Sequence, residues 1–352
     1  MSKLKYLIAS LPFIALFAVV KFSQFPEKKV ESPLSPNVVG RWLVGKHAQF
    51  NDADTLELDT AVKHALNGDT ILVRPGNYHL KMKLTKNITI RGLSGNFEDI
   101  KIDLKTPISL QGQTLKLENM SILNSFDSDY AFKLNKSNLY MDNVKVKFSG
   151  IRKGFIVEAQ SAFKSLNNHF IGDNRASSIY LRGASKFYAD NNKFIKFKNA
   201  IETDHGKFNG ELQLQNLEIS HCSSSGIYQH GGQLRGQNIS ISKSASGIIA
   251  AGSAITELDQ AYIQENEFYG LDVIDGAIVH IDLFQFNKNK VAGIRASGTK
   301  SKAELNNGHI SSSNLALLAE HQARINGQNL NLADNINIKM KTNNGGEITL
   351  GD

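Results

Sequence analysis

The chain has 352 residues, 41% of them hydrophobic, which is enough for one large domain or two of ordinary size. A single cysteine, Cys222, excludes an internal disulfide, and its sequence context predicts a small residue at a turn rather than a nucleophile. The formal net charge is +7, but the lysines are scattered and no nucleic-acid-binding signature accompanies them. The charge therefore indicates either a solvated basic surface or attraction to an acidic partner, such as a uronic-acid polysaccharide or an anionic lipid.

Residues 1–22 are predicted to be a signal anchor or a signal peptide. An apolar run from Tyr6 to Val20 has lysines on both sides, and its length is at the upper end of a secretory hydrophobic segment. Bulky residues follow the run where a cleavage site would need small ones, so an uncleaved membrane helix is favoured over a cleaved signal. Both alternatives predict export, with the remaining chain either anchored at the inner membrane and facing the periplasm or the cell exterior, or secreted.

Residues 23–36 contain three prolines and are predicted to be a linker, which leaves residues 37–352 as one domain. The domain opens with Asp54-Thr-Leu-Glu57, a sequence typical of a capping box at a helix start. Apolar residues then recur at helical spacing up to Leu66, and Thr70–Val73 is predicted to be a short buried strand.

A turn at Arg74-Pro-Gly-Asn-Tyr78 follows that strand. This order of helix, strand and Pro-Gly turn resembles the opening of right-handed parallel β-helix proteins of the pectin-lyase-like superfamily. The resemblance implies that the helix covers the open N-terminal end of a solenoid, whose apolar cross-section must be shielded from water.

From Ile88 onward, short strands are separated by Gly, Asn, Ser and Asp, and two columns of residues recur with one period. The first column is an asparagine followed three residues later by an apolar residue, at Asn119, Asn143, Asn168, Asn192, Asn216, Asn238, Asn307 and Asn329. The second column is a small residue followed by an apolar one, whose apolar members are Phe132, Phe155, Ile179, Ile201, Ile227, Ile248, Leu271, Ile294 and Leu317. Gln260 and Leu283 keep the first column's step without the asparagine.

Two columns that share a period over most of the chain predict an all-β fold, a right-handed single-stranded parallel β-helix with coils of about 23 residues. Inward side chains would stack into apolar columns, with neighbouring coils about 4.8 Å apart. A turn asparagine in each coil would adopt a left-handed backbone and bond to its neighbour along the axis.

Aligning the coils on the second column predicts which outward side chains lie side by side. The middle coils bring together a mixture of acidic, basic, aromatic and imidazole groups: Glu158, Tyr180, Arg182, Glu202, Asp204, His205, Tyr228 and His230. Asp272 and Arg295 follow on later coils and are predicted, with Glu158 and Tyr180, to bind substrate.

The favoured chemistry for this face is a lyase or C5-epimerase acting on a uronate, in which a base removes a proton and a cation neutralises the substrate carboxylate. Tyr228 or His230 would serve as the base and the acid, and His205 would be the second partner in the proton transfers. Arg182 would neutralise the substrate carboxylate. Asp204-His205 with nearby tyrosines is loosely similar to the Asp-Pro-His and tyrosine set of β-helical alginate epimerases and lyases, but it lacks the intervening proline.

Three alternatives remain open. Glu202 and Asp204 could flank a glycosidic bond in a hydrolase, and Asp204, His205 and His230 could hold a divalent cation such as calcium, although no cofactor is required by the sequence. The charged residues could also be ordinary cross-strand pairs on a non-catalytic, membrane-tethered scaffold or adhesin. In that case the solenoid end near Asp352, which shows no capping helix, would offer a strand edge for self-association.

Overall fold

A computed structural model describes residues 40–45, 54–81, 83–333 and 336–351 of the chain. These residues form 29 β-strands, one α-helix and one 3-10 helix, and the strands belong to two sheets of 18 and 11 strands. The helices are α1 (Leu58–His64) and the 3-10 turn Phe97–Asp99.

The larger sheet contains β1 (Arg41–Val44), β2 (Thr70–Val73), β3 (Gly76–Leu80), β4 (Ile88–Gly92), β5 (Ile100–Leu104), β7 (Thr114–Asn124), β9 (Asn138–Lys147), β11 (Ala162–Leu166), β12 (His169–Ile171), β14 (Lys186–Asp190), β15 (Lys193–Ile195), β17 (Glu211–Ser220), β19 (Gln233–Ser242), β21 (Ile255–Gln264), β23 (Ile278–Asn287), β25 (Lys302–Ser311), β27 (Arg324–Leu332) and β29 (Glu347–Gly351). The smaller sheet contains β6 (Ile108–Gln111), β8 (Ser128–Asn135), β10 (Ile151–Glu158), β13 (Ser177–Gly183), β16 (Asn199–Phe208), β18 (Ser225–His230), β20 (Ser246–Ala251), β22 (Tyr269–Ile274), β24 (Ala292–Ser297), β26 (Leu315–Glu320) and β28 (Ile338–Asn343).

The pairing of the strands confirms the predicted solenoid. Each strand of the smaller sheet except its two end strands, β6 and β28, pairs in parallel with the strand one coil before it and the strand one coil after it. The apolar members of the second column are direct register partners, as in Phe132 with Phe155 and Ile201 with Ile227. They are fully buried, because alternate residues of each strand point into the solenoid.

Aromatic side chains fill the middle of this interior. Phe132 stacks on Phe155 with ring centroids 4.8 Å apart, and Phe170 stacks on Phe194 at 4.7 Å. All four rings are buried, and burial of such a side chain stabilises the fold by about 1.5–3 kcal/mol. The core therefore runs as columns along the solenoid axis, one member from each coil.

The asparagine column is confirmed at six of its eight positions and corrected at two. Asn143 has a left-handed backbone, with φ of 53°, and its side chain donates to Asn119 on the preceding coil at 2.9 Å. At the other two coils the left-handed residues are Asn167 and Asn191, one position before the predicted ones. Asn168 and Asn192 are instead buried, and Asn192 accepts the backbone N–H of Asn168 at 2.8 Å. Asparagines that are adjacent in the sequence thus belong to two different ladders, one at the left-handed turn position and one in the interior. Alignment on residue type alone could not separate them.

The N-terminal elements are confirmed in kind and corrected in detail. The helix α1 begins at Leu58 with Glu57 at its N-cap position and no side-chain cap, so the predicted capping box is wrong. Asp54 instead accepts the backbone N–H of Leu43 at 2.7 Å. The predicted turn is shorter than expected, since β3 already begins at Gly76. Covering of the solenoid end by α1 stays a prediction.

The predicted signal segment and linker lie outside the described residues. Among the residues that are described, no helix is both long and apolar enough to cross a membrane. At the other end, β28 pairs with β26, and Ile338 and Met340 are about half exposed on it, at 45% and 47%. Self-association at this edge stays a prediction.

Candidate functional site

The candidate site is the outward side of β10, β13, β16 and β18, which we call the site face. Its central column follows the predicted register, because Tyr180 pairs with Glu202 and Glu202 pairs with Tyr228. Neighbouring members of this column are therefore one strand spacing apart, about 4.8 Å.

The second predicted column is interrupted at β16. The ladder between β13 and β16 breaks after Leu181, and Gly183 pairs with Phe208 rather than with a residue close to Asp204. The four residues from Asp204 to Lys207 therefore form an outward excursion. This excursion accounts for the longest interval in the apolar column, from Ile201 to Ile227.

Glu202 is the most heavily bonded carboxylate of the site face. Its Oε2 atom lies 2.8 Å from Lys153 Nζ and accepts hydrogen bonds from Ser177 and from Asn199. Burial opposes ionisation of this carboxyl group, but the three donors outweigh burial and hold its pKa below the usual value. The Lys153 ammonium also lies 3.9 Å from the centroid of the Tyr180 ring.

Asp204 has a partner on each of its oxygens. The Tyr180 hydroxyl donates a hydrogen bond to Oδ1 at 2.6 Å, and Arg182 Nε forms an ion pair with Oδ2 at 2.8 Å. Burial and the hydrogen bond to Asp204 both raise the pKa of Tyr180, because they disfavour a phenolate. Glu158 joins this network through Arg182 at 3.9 Å and is also paired with Lys133 at 3.0 Å.

The two histidines stack on one another. The ring centroids of His205 and His230 are 3.8 Å apart, with 27° between the planes. The backbone N–H of Gly206 donates to His230 Nδ1 at 3.0 Å, so the neutral His230 ring carries its proton on Nε2. Burial and the neighbouring His205 lower the pKa of His230. The His230 ring also lies over Gly252, where an added Cβ would approach its Cε1 atom to 2.7 Å.

Tyr228 differs from Tyr180 in having an uncommitted hydroxyl. The side chain is half-buried beside Glu202, and its hydroxyl has no hydrogen-bond partner within the described part of the chain. Burial, together with the charges of Glu202 and Asp275, raises the pKa of this phenol. Tyr228 is therefore a proton donor that remains available to a ligand at neutral pH.

The structure places Asp272 and Arg295 apart from this group. Ile249 lies between Tyr228 and Asp272 in the central column, so Asp272 is two coils away. Arg295 donates from Nε and Nη2 to Asp272 at 2.7 and 2.8 Å and from Nη1 to the Tyr269 hydroxyl at 2.9 Å. Asp272 and Arg295, which were predicted to contact substrate, are therefore bonded to each other, and Arg295 is also bonded to Tyr269.

The metal alternative gains no support from the geometry. The rings of His205 and His230 are stacked rather than directed at a common point, and Asp204 is occupied by Tyr180 and Arg182. Among the described residues, no group of three or more His, Cys, Asp or Glu side chains is placed to hold a metal ion.

Sequence reasoning missed Lys153, Ser177 and Asn199. They lie two residues before the apolar column, a position that strict alternation places on the inward side with Phe155, Ile179 and Ile201. Lys153 pairs in register with Ser177. Their side chains nevertheless reach Glu202, so the alternation that located Tyr180 and Glu202 could not have found them.

No family model and no curated protein matches the sequence, whereas solved structures do match. The crystal structure of pectate lyase Pel9A is similar over 79% of this chain and 76% of its own, with a TM-score of 0.51 and 13% identity. The catalytic domain of a GH87 alpha-1,3-glucanase in complex with tetrasaccharides is similar over 92% and 68%, with a TM-score of 0.57 and 13% identity. The catalytic unit of the thermostable GH87 alpha-1,3-glucanase from Streptomyces thermodiastaticus strain HF3-3 has a TM-score of 0.54 at 11% identity, over 81% of this chain and 62% of its own. Together with the register of its coils, these likenesses show that the chain has a right-handed parallel β-helix fold.

Proposed function

We propose that the protein is an exported, carbohydrate-active β-helix enzyme that acts on a uronate-containing polysaccharide, as a lyase or a C5-epimerase, at the site face. The observation that carries this proposal is the juxtaposition of cations, an uncommitted phenol and an exposed imidazole on adjacent coils. Similarity in fold to a pectate lyase and to alpha-1,3-glucanases agrees with a carbohydrate ligand, although fold alone does not assign chemistry.

The cations of the site face would bind the substrate carboxylate. Arg182 contacts Asp204 through Nε, its Nη1 atom lies 3.9 Å from Glu158, and its side chain is still 44% exposed. Because a guanidinium has five N–H donors, donors remain for a further carboxylate. Neutralising that carboxylate makes the adjacent C5 proton more acidic, which is what both elimination and epimerisation need.

The proton transfers are assigned to His205 and Tyr228. His205 is exposed on the excursion of β16 and is backed by the His230 ring, so we assign it the base that takes the C5 proton. Tyr228, with its raised pKa and free hydroxyl, would donate a proton to the leaving oxygen or to the opposite face of C5. In this scheme His230 positions His205, and Tyr180 positions Asp204.

The hydrolase alternative is less well supported. A glycosidase needs one carboxylic acid whose pKa is raised so that it can protonate the leaving group. The three donors on Glu202 lower its pKa instead, and the oxygens of Asp204 are already engaged by the Tyr180 hydroxyl and the Arg182 guanidinium. Neither carboxyl group is suited to be a general acid.

The test is a panel of uronate polymers assayed in two ways. Elimination is followed by ultraviolet absorbance of new unsaturated ends, and epimerisation by deuterium incorporation at C5 in heavy water. We expect His205→Ala and Tyr228→Phe each to lower kcat by about 10²–10⁴-fold. The matched control is Tyr262→Phe, which removes the hydroxyl of a 40%-exposed tyrosine on the larger sheet. If the unmutated protein carries out neither reaction on any polymer, the proposal is refuted and the non-catalytic scaffold is favoured.

A further inference from the structure

A second surface, on a different sheet from the site face, carries alternating lysines and tyrosines. Lys116 pairs with Tyr140, Tyr140 with Lys164, and Lys164 with Tyr188, on strands β7, β9, β11 and β14. We call these four side chains the Lys–Tyr strip. Because all four are outward members of one register column, they form a straight row along the solenoid axis.

The strip is accessible to ligands. Tyr140 is 39% exposed, Tyr188 is half-buried, and both lysines are exposed. A depression of about 280 Å³ lies over Tyr140, Lys164 and Tyr188; Lys186 and Glu211 also line it, and Gln213 continues the row beyond Tyr188. The strip is therefore a shallow open groove rather than a flat surface.

The lysines of the strip are not neutralised by their surroundings. Lys116 Nζ lies 5.6 Å from the centroid of the Tyr140 ring, and Lys164 Nζ lies 5.3 Å from that of Tyr188. Within the described part of the chain, neither lysine has an ion pair with a carboxylate. Arg235, a cation farther along the same column, is by contrast paired with Glu257. Charge complementarity thus favours an anionic ligand.

We infer that the Lys–Tyr strip binds an extended acidic polysaccharide along the solenoid axis, apart from the site face. The tyrosines are two coils apart, about 10 Å at the usual strand spacing, and one pyranose residue in an extended chain is about as long as one such spacing. Alternate sugar rings would lie against Tyr140 and Tyr188, whose faces attract the sugar C–H groups, and the carboxylates between them would meet the lysines. The inference rests on the proposed function only for the class of ligand.

A nucleic acid fits the row less well. A nucleic-acid strand carries one phosphate per roughly 3.4 Å in a duplex, which does not match a cation every second coil. The neighbouring outward column carries Glu118, Asp142 and Asp190, whose negative charges disfavour any anionic ligand and weigh most against the closely spaced charges of a phosphate backbone. A sugar polymer with one carboxylate per residue offers lower charge density and an apolar ring face. A second binding row would keep the protein on its polymer while the site face acts, because linked sites raise the effective concentration of each other's ligand.

The experiment is isothermal titration calorimetry with a galacturonate pentamer, maltopentaose and a single-stranded oligonucleotide. We expect the unmutated protein to bind the pentamer more tightly than maltopentaose, and the variants Lys116→Gln/Lys164→Gln and Tyr140→Ala/Tyr188→Ala each to lose about tenfold in affinity, or about 1.4 kcal/mol. Tyr140→Phe/Tyr188→Phe keeps both rings and should bind as the unmutated protein does.

The matched control is Lys288→Gln/Lys290→Gln, which removes the same charge from lysines paired with Glu265 and Glu267. Affinity within twofold of the unmutated protein is expected there. Equal affinity for maltopentaose, tighter binding of the oligonucleotide, or full affinity in both strip variants would overturn the inference.

The outcomes for the strip and for the site face are separable. If His205→Ala/Tyr228→Phe abolishes binding of the pentamer while the strip variants retain it, the strip inference is overturned and the site face is the binding site. If the strip variants lose affinity while no uronate polymer is converted, the strip inference stands and the proposed activity fails.

Discussion

The Lys153–Glu202 pair allows the role of burial in the site face to be tested by one substitution with a matched control. Lys153→Met removes an ammonium that lies 2.8 Å from a carboxylate whose side chain is only 18% exposed. Lys193→Met removes an ammonium at the same 2.8 Å from Glu218, but there the carboxylate side chain is 66% exposed. Both variants remove one charge and one ion pair from the solenoid surface, and they differ mainly in how far water can replace the lost partner.

The expected magnitudes follow from the contacts. A hydrogen bond to a charged group contributes about 1.5–3 kcal/mol, which we reduce to about 1–2 kcal/mol because Lys153 is itself 24% exposed. The cation–π contact with Tyr180 adds about 1 kcal/mol. We therefore expect Lys153→Met to lower the free energy of unfolding by about 2–3 kcal/mol. The exposed pair should cost about 0–1 kcal/mol.

The assay is urea unfolding followed by far-ultraviolet circular dichroism, with Glu202→Gln and the double variant added to complete a double-mutant cycle. The double variant should recover part of the loss, because no carboxylate is then left without its cation, and a coupling of about 1–2 kcal/mol is expected. A loss in Lys153→Met no larger than that in Lys193→Met would refute the reasoning that burial makes this pair important.

Three further predictions concern pH, the buried asparagines and the cysteine. The folded protein holds the pKa of Glu202 below its usual value, so the stability from this group is complete above about pH 4.5 and is lost as the pH falls through the lower folded pKa. Free energies of unfolding measured from pH 7 to 3 should therefore fall more steeply for the unmutated protein than for Glu202→Gln, and parallel curves would contradict this. Asn192→Ala removes the side chain that bonds the backbone N–H of Asn168 and the carbonyl of Ser165 in the core, and it should lower the free energy of urea unfolding by about 3–4 kcal/mol. The control Asn191→Ala, at an exposed position of the other ladder, should cost about 1 kcal/mol. Similar losses in the two variants would argue against separate ladders. Burial raises the pKa of the Cys222 thiol to about 11, so a thiol reagent at pH 7 should label the native protein far more slowly than the urea-unfolded chain, and equal rates would be inconsistent with a buried thiol.

Much of the fold could be predicted from local pattern. The apolar column from Phe132 to Leu317 determines the register of the smaller sheet, because a one-residue slip would turn every buried side chain outward. The same column therefore predicted correctly that Tyr180, Glu202 and Tyr228 lie side by side. The left-handed residue of the asparagine column persists at Gln260 and Leu283, which shows that backbone conformation, rather than the amide, is the repeated requirement.

What only the tertiary structure decided is where the chain departs from its own period. Spacing showed that the coil after Ile201 is long. It did not show that the extra residues place His205 outward against the His230 ring, or that Arg182 meets Asp204 through a side-chain contact rather than through strand pairing. Likewise Lys153 on β10 binds Glu202 on β16, and the reach of a long side chain past the intervening β13 is not encoded in the repeat. The sequence by itself determined the solenoid and its central column, because these depend on apolar periodicity. The pairing of charges on the site face depends on distances between coils and became visible only in three dimensions.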